Sequence, residues 1–137
     1  MQQENRRKKT MGYKLNHSEK EVAGSINVML TTMEAVGQII HHDRMNSGST
    51  FNKNAKTGKT YAYRMCRPGT PDHYVILNNG TVLWIEAKST TGKQSPQQAE
   101  FERKIKGIPG HHYMIARSVI EVIDYIDSVK HSERGQE

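Results

Sequence analysis

Apolar residues recur at helical spacing across "HSEKEVAGSINVMLTTMEAVGQII". Val22, Ile26, Met29, Leu30, Met33, Val36 and Ile40 fall on one face, and Ser18 stands in the N-cap position. The pattern predicts one long amphipathic helix reaching Ile40. Over "HHDRMNSGSTFNKNAKTGKTYAYRMCRPG" the periodicity gives way to Asn, Gly, Ser, Thr and Lys, which predicts a basic loop with one short strand at Tyr61 to Met65 after a Gly58 turn. Two alternating runs follow, Tyr74 to Leu77 and Thr81 to Lys88, joined by "NNG" as a hairpin. After the loop "STTGKQ", the run "SPQQAEFERKIKG" has the marks of a helix, with Ser95 as N-cap, Pro96 at the first helical position and Gly107 past the end. "HHYMIAR" is a strand, and "SVIEVIDYIDSVKHS" is a closing amphipathic helix with Val119, Val122, Ile123 and Ile126 turned inward. The expected order is helix, strand, hairpin, helix, strand, helix.

The chain has 137 residues, which suits one domain with one core. That domain is expected over 17–130, between a basic mobile tail at 1–16 and a frayed C-terminus at 131–137. No apolar run approaches the roughly 20 residues of a membrane-spanning helix, and the start "MQQENRRKKT" lacks the apolar stretch of a secretory signal. A cytoplasmic protein with no membrane partner is therefore expected. The single cysteine, Cys66, cannot form an internal disulfide and is simplest as a packing residue. A formal net charge of +6 favours an anionic partner, most often nucleic acid in a small domain.

Charge also marks the hairpin. Val82, Trp84, Glu86 and Lys88 alternate to one face of its second strand, and Leu83, Ile85 and Ala87 to the other. Whether Asp72 meets Glu86 depends on the turn. A two-residue Asn79-Gly80 loop would pair residue 73 with Glu86 and turn Asp72 away. A three-residue Asn78-Asn79-Gly80 loop, a type I turn ending in a left-handed glycine, pairs Asp72 with Glu86 directly. Only the last position of that loop demands positive φ, and glycine occupies it. Paired Cβ atoms would then lie about 4.5–5.5 Å apart, close enough for both carboxylates to ligate one small divalent ion. Lys88, two residues on along the same face, can hold an attacking water or oppose charge developing on a phosphate. The chemistry suggested is metal-dependent attack of water on a phosphodiester. A Pro-Asp turn and a surface Glu-Lys pair would explain the same residues individually, so their flanks matter.

Pro71-Asp72 followed by "EAK" at Glu86 to Lys88 resembles the PD-(D/E)XK nuclease superfamily. The wider run "GTPDHYVILNNGTVLWIEAKSTTGKQSPQQAEF" is similar to the VRR-NUC domain, with its Gly-x-Pro-Asp turn, Glu-x-Lys strand end, Gly-Lys loop and Ser-Pro-x-Gln helix start. "RMNSG" at Arg44 to Gly48 resembles the family's link after its first helix. The likeness spans most of the chain from about Glu19. It departs between Ser49 and Cys66, which is longer and more basic than usual, and at His73, where an apolar residue is commoner. The resemblance implies a PD-(D/E)XK core, a mixed β-sheet holding the hairpin and flanked by α-helices. It implies Asp72 and Glu86 as ligands of Mg²⁺ or Mn²⁺ alongside the Ala87 backbone carbonyl, Lys88 as the catalytic lysine and Gln98 as the active-site glutamine.

The superfamily also places an acid on its first helix. Glu19 falls within about 20° of Ile26 around the helix, whereas Glu21 lies roughly 140° away and Glu34 about 80°, so Glu19 is the candidate, bound directly or through water. Gln98 lies three residues before Phe101 on the inward side of its helix and could bind the attacking water or a phosphate oxygen. Arg44, Arg64, Arg67 and Lys93 are candidate DNA contacts as a cluster, though each alone reads as a solvated charge. Stand-alone proteins of this family, from phages and bacteria, resemble homodimeric enzymes that cut four-way DNA junctions. The function expected is a structure-specific DNA endonuclease of the Holliday-junction-resolving kind. A flap or nicking endonuclease is the alternative within the enzyme class, and a non-catalytic basic DNA-binding module of the same fold is the alternative outside it.

Other signals weigh less. The pairs His41-His42 and His111-His112 lack a metal-ligand spacing. A lone Trp84 in a strand is more often core than a base-stacking platform.

Overall fold

The computed structural model describes residues 17–45, 49–64 and 66–134. The expected tail at 1–16, Asn46 to Gly48 of the "RMNSG" link, Met65 and residues 135–137 lie outside the described residues, as does the side chain of Arg64.

Helix α1 spans Glu19–Ala35, and Ser18 caps it by accepting from the Glu21 N–H at 3.2 Å. Its buried face carries Val22, Ala23, Ile26, Leu30 and Met33. The helix stops short of the expected Ile40. Gly37 takes φ +77°, its N–H donates to the Glu34 carbonyl, and the Gln38 N–H donates to the Met33 carbonyl at 2.8 Å. This paired closure needs a left-handed residue just past the last turn, and glycine supplies it. Val36 and Ile40, expected inward, are therefore 65% and 55% exposed, and Ile39 is buried in their place.

The segment expected as loop opens with a strand, β1, at His41–Arg44. Next come β2, Ser49–Lys53, which was not expected, and β3, Thr60–Arg64, close to the predicted strand. These two pair antiparallel in a two-stranded sheet of their own. The hairpin follows as β4, His73–Ile76, and β5, Val82–Ala87. Helix α2 spans Pro96–Ile105, β6 spans His111–Ala116, and α3 spans Val119–Arg134, two residues beyond the closing helix expected through Ser132.

The main sheet has the order β1-β4-β5-β6 and is mixed. β1 and β5 run antiparallel to β4, and β6 runs parallel to β5 by way of α2. Among the described residues the fold is thus mixed α/β, with three helices on a four-stranded sheet. Alternation divides the sheet's side chains between two faces. Val75, Leu83, Ile85, Ala87, Met114 and Ala116 pack with α1 and with Val122, Ile126 and Val129 of α3 in one buried cluster. The opposite face carries Trp84, which meets Phe101 of α2 edge-on at 5.2 Å between centroids and donates from Nε1 to His111 Nδ1 at 3.2 Å. Trp84 therefore joins α2 to the sheet.

Candidate active site

The hairpin turn fixes the site's geometry. The Leu77 N–H donates to Thr81 O at 2.9 Å, the Gly80 N–H donates to Leu77 O at 2.9 Å, and Gly80 takes φ +86°. The loop is therefore the three-residue Asn78-Asn79-Gly80 form. The register it sets pairs His73 with Ile85 and Tyr74 with Trp84. One step further along, Asp72 stands opposite Glu86. Asp72 is anchored on both sides, its Oδ2 accepting from the Ala87 N–H at 2.8 Å and its carbonyl from the Met45 N–H at 2.7 Å. Ala87 thus touches the site through its N–H.

Glu86 is only 2% exposed, and its Oε2 has no hydrogen-bond partner. Burial, together with the neighbouring Asp72 charge, pushes its carboxyl well above the ordinary carboxylate range. Lys88 is also buried, and its Nζ lies 3.7 Å from both Glu86 Oε1 and Glu19 Oε1. Glu19 reaches this cluster from the first turn of α1, half-exposed at the rim. One carboxylate oxygen from each of Glu19, Asp72 and Glu86 lies within 4.8 Å of the others. An all-oxygen donor set with one buried, unpartnered carboxylate oxygen fits a hard divalent cation such as Mg²⁺ or Mn²⁺. The group is spread over three elements, and the turn and the α1 cap bring it together.

Gln98 reaches the cluster as a partner of Glu86 and of its own helix cap. Its Nε2 donates to Glu86 Oε1 at 3.0 Å, and its Oε1 accepts from the Ser95 N–H at 2.8 Å. The latter bond is half of a capping box, completed when Ser95 Oγ accepts from the Gln98 N–H at 3.2 Å. The amide oxygen is thus engaged by the helix cap and one amide N–H by Glu86. Gln98 thus stands in the site as a positioning partner of Glu86.

Two further residues hold the site, Arg117, which was not singled out from the sequence, and Gly69, which entered there only as the glycine of the Gly-x-Pro-Asp turn. Arg117, just past β6, donates from Nη1 to the carbonyls of Ser89, Thr90 and Gly92, bracing the loop that follows Lys88. Gly69 takes φ +94°, and a Cβ there would lie 2.5 Å from the Gln97 carbonyl oxygen. Only glycine lets the turn leading to Asp72 pass the first turn of α2 so closely.

Of the candidate DNA contacts, Arg44 is exposed at the end of β1 and pairs with His73, next to Asp72. Arg67 is exposed in the turn closed by the Thr70 N–H to Arg67 O bond, and Lys93 is exposed beside the loop that Arg117 braces. The histidine pairs serve local packing. His42 Nε2 lies 3.1 Å from Thr31 Oγ1, and His41 Nδ1 lies 3.4 Å from Glu34. His112 meets Tyr125 edge-on. No family model, no curated protein and no solved structure matches the chain.

Proposed function

We propose that the protein is a metal-dependent, structure-specific DNA endonuclease that hydrolyses phosphodiester bonds, with a PD-(D/E)XK core of the VRR-NUC type. The observation that carries this function is the convergence of Glu19, Asp72 and Glu86 around a buried Lys88. Burial and the Asp72 charge hold a proton on Glu86, and the single ammonium 3.7 Å from Glu86 and Glu19 does not release it, whereas a bound divalent cation would take that proton's place. Asp72, Glu86, the Ala87 carbonyl and Glu19 would hold Mg²⁺ or Mn²⁺. Such an ion, when bound, supplies positive charge to the phosphate and acidifies a bound water.

The chain's own groups divide the remaining work. Gln98 and the Ala87 N–H fix the rotamers of Glu86 and Asp72, so the donor oxygens need not reorganise when the phosphate arrives. The Lys88 ammonium, held between two carboxylates, is placed to orient the attacking water or to oppose charge growing on a phosphate oxygen. Net positive charge elsewhere on the chain draws the polyanion in. A four-way junction is the preferred substrate on the likeness to VRR-NUC proteins, and two paired cuts call for two sites in a homodimer.

Cleavage of labelled four-way junctions, flaps and linear duplexes with Mg²⁺, Mn²⁺ or Ca²⁺ tests the assignment. Asp72→Ala and Lys88→Ala should each abolish Mn²⁺-dependent cleavage while leaving DNA binding in place. Equal cleavage by the wild type and both variants overturns it.

A further inference from the structure

The β2–β3 ribbon springs from the edge of the candidate site. The chain leaves the main sheet after Arg44 and returns at Asp72, and the Met45 N–H to Asp72 O bond ties the two limbs together at their root. The returning limb is held by Gly69 against the Gln97 backbone. The two limbs that carry the ribbon thus meet the main sheet beside Asp72.

Charge is distributed to match. Between Arg44 and Pro71 the chain has six Lys and Arg and no Asp or Glu. Outside this stretch and residues 1–16, nine Lys and Arg face thirteen Asp and Glu. The body of the protein is thus slightly acidic, and the basic character of the whole resides in the ribbon segment and the N-terminal stretch. Lys53, Lys56 and Lys59 are exposed around the ribbon's turn, and among the described residues none of them forms an ion pair. The turn has a defined shape. Asn54 Oδ1 accepts from the Lys56 and Thr57 N–H groups, and the Asn54 N–H donates to Lys59 O at 2.8 Å. Three unanswered cations on a shaped turn are suited to a periodic anion.

We propose that the β2–β3 ribbon is a clasp for duplex DNA, with Lys53, Lys56 and Lys59 on the phosphates of the arm flanking the scissile bond. A two-stranded ribbon has the dimensions to enter a major groove, and lysines at its turn reach the backbone without reading sequence. A membrane surface fits less well, because the ribbon's turn, residues 53–60, carries no apolar residue larger than Ala55. The ribbon's position beside a scissile bond rests on the endonuclease function, whereas its affinity for a duplex can be measured without cleavage.

The test is the triple variant Lys53→Gln/Lys56→Gln/Lys59→Gln, with binding of a labelled duplex followed by fluorescence anisotropy in EDTA over a series of salt concentrations. Each phosphate contact contributes about 0.9 to the slope of log affinity against log salt. The variant should bind more weakly at low salt, with a slope shallower by roughly 2 to 3, and should keep the wild-type melting temperature. Unchanged affinity and slope overturn the clasp, as does equal loss of binding to anionic phospholipid vesicles, which assigns the ribbon to a membrane surface. Cleavage is scored separately. Wild-type cleavage with an unchanged slope in the variant removes the clasp and keeps the endonuclease, whereas an inert wild type whose binding depends on these lysines does the reverse.

Discussion

His73 is fully buried beside Asp72, and neither of its ring nitrogens has a hydrogen-bond partner. Burial pulls its pKa down to about 4, Arg44 and His42 add to that, and the Asp72 charge and, more weakly, the Ala23 backbone oppose it. The folded state therefore keeps His73 neutral where the unfolded chain, with its ordinary pKa of 6.5, takes up a proton. Stability from this residue is fully present above pH 6.5 and is lost as pH falls from 6.5 toward 4. The difference amounts to about 3 kcal/mol at full effect. His73→Leu has similar bulk and no nitrogen to leave unpaired. Urea unfolding at pH 5 and pH 7.5 should show the variant gaining on the wild type chiefly at the lower pH. The same gain at both values would mean that packing, not protonation, sets the cost of His73.

Two glycines show how elements rather than residues hold the site. Gly80 and Gly69 take φ +86° and +94°, yet a Cβ at Gly80 meets nothing within 4 Å, whereas at Gly69 it would strike the Gln97 backbone. Gly80→Ala should therefore cost only the left-handed strain, about 1–2 kcal/mol, and leave metal-dependent cleavage near wild type in the folded fraction. Gly69→Ala must push β4 away from the first turn of α2, separating Asp72 from the Gln98–Glu86 bond. A shift of about 1 Å there is expected to lower cleavage on the order of 100-fold. Circular dichroism melts and single-turnover cleavage of the two variants check this, and equal losses would show that the loop absorbs the Cβ.

The same elements explain what could be read beforehand. The odd-length turn, the Ser95 cap and the alternation of β5 are local, so Asp72, Glu86 and Lys88 could be placed on one face from the residues alone. The closing of α1 at Gly37 was masked because Val36 and Ile40 continue the helical spacing past it. β1 was hidden because "HHDR" lies at a sheet edge and is largely exposed, leaving no apolar alternation. Arg117 was invisible for another reason. Its carbonyl partners lie 25 to 28 residues away, and nothing local distinguishes it from a solvated cation.

At the scale of the molecule, the hydrophobic core and the proposed DNA clasp occupy different parts of the chain. Every residue of the hydrophobic core cluster comes from α1, Ile39, the β4–β5 hairpin, β6 or α3, and among the described residues none comes from the β2–β3 ribbon. The ribbon's ladder is its own, with Ser49 facing Arg64 at the base, so its removal severs no pairing of the main sheet. Ser49 and Arg64, paired at the ribbon's base, stand about 5 Å apart, so a short Gly-Asn-Gly bridge in place of residues 50–63 joins them. Shortening the connection also reduces the entropy of closing it, by about 0.6 kcal/mol for each halving. The urea midpoint of that variant should stay at the wild-type value or rise slightly, with a single cooperative transition. Binding to duplex DNA in EDTA should weaken at least as much as in the triple lysine variant. A steep fall in the midpoint would mean that the ribbon supports the Asp72 limb and that the two roles are not separable.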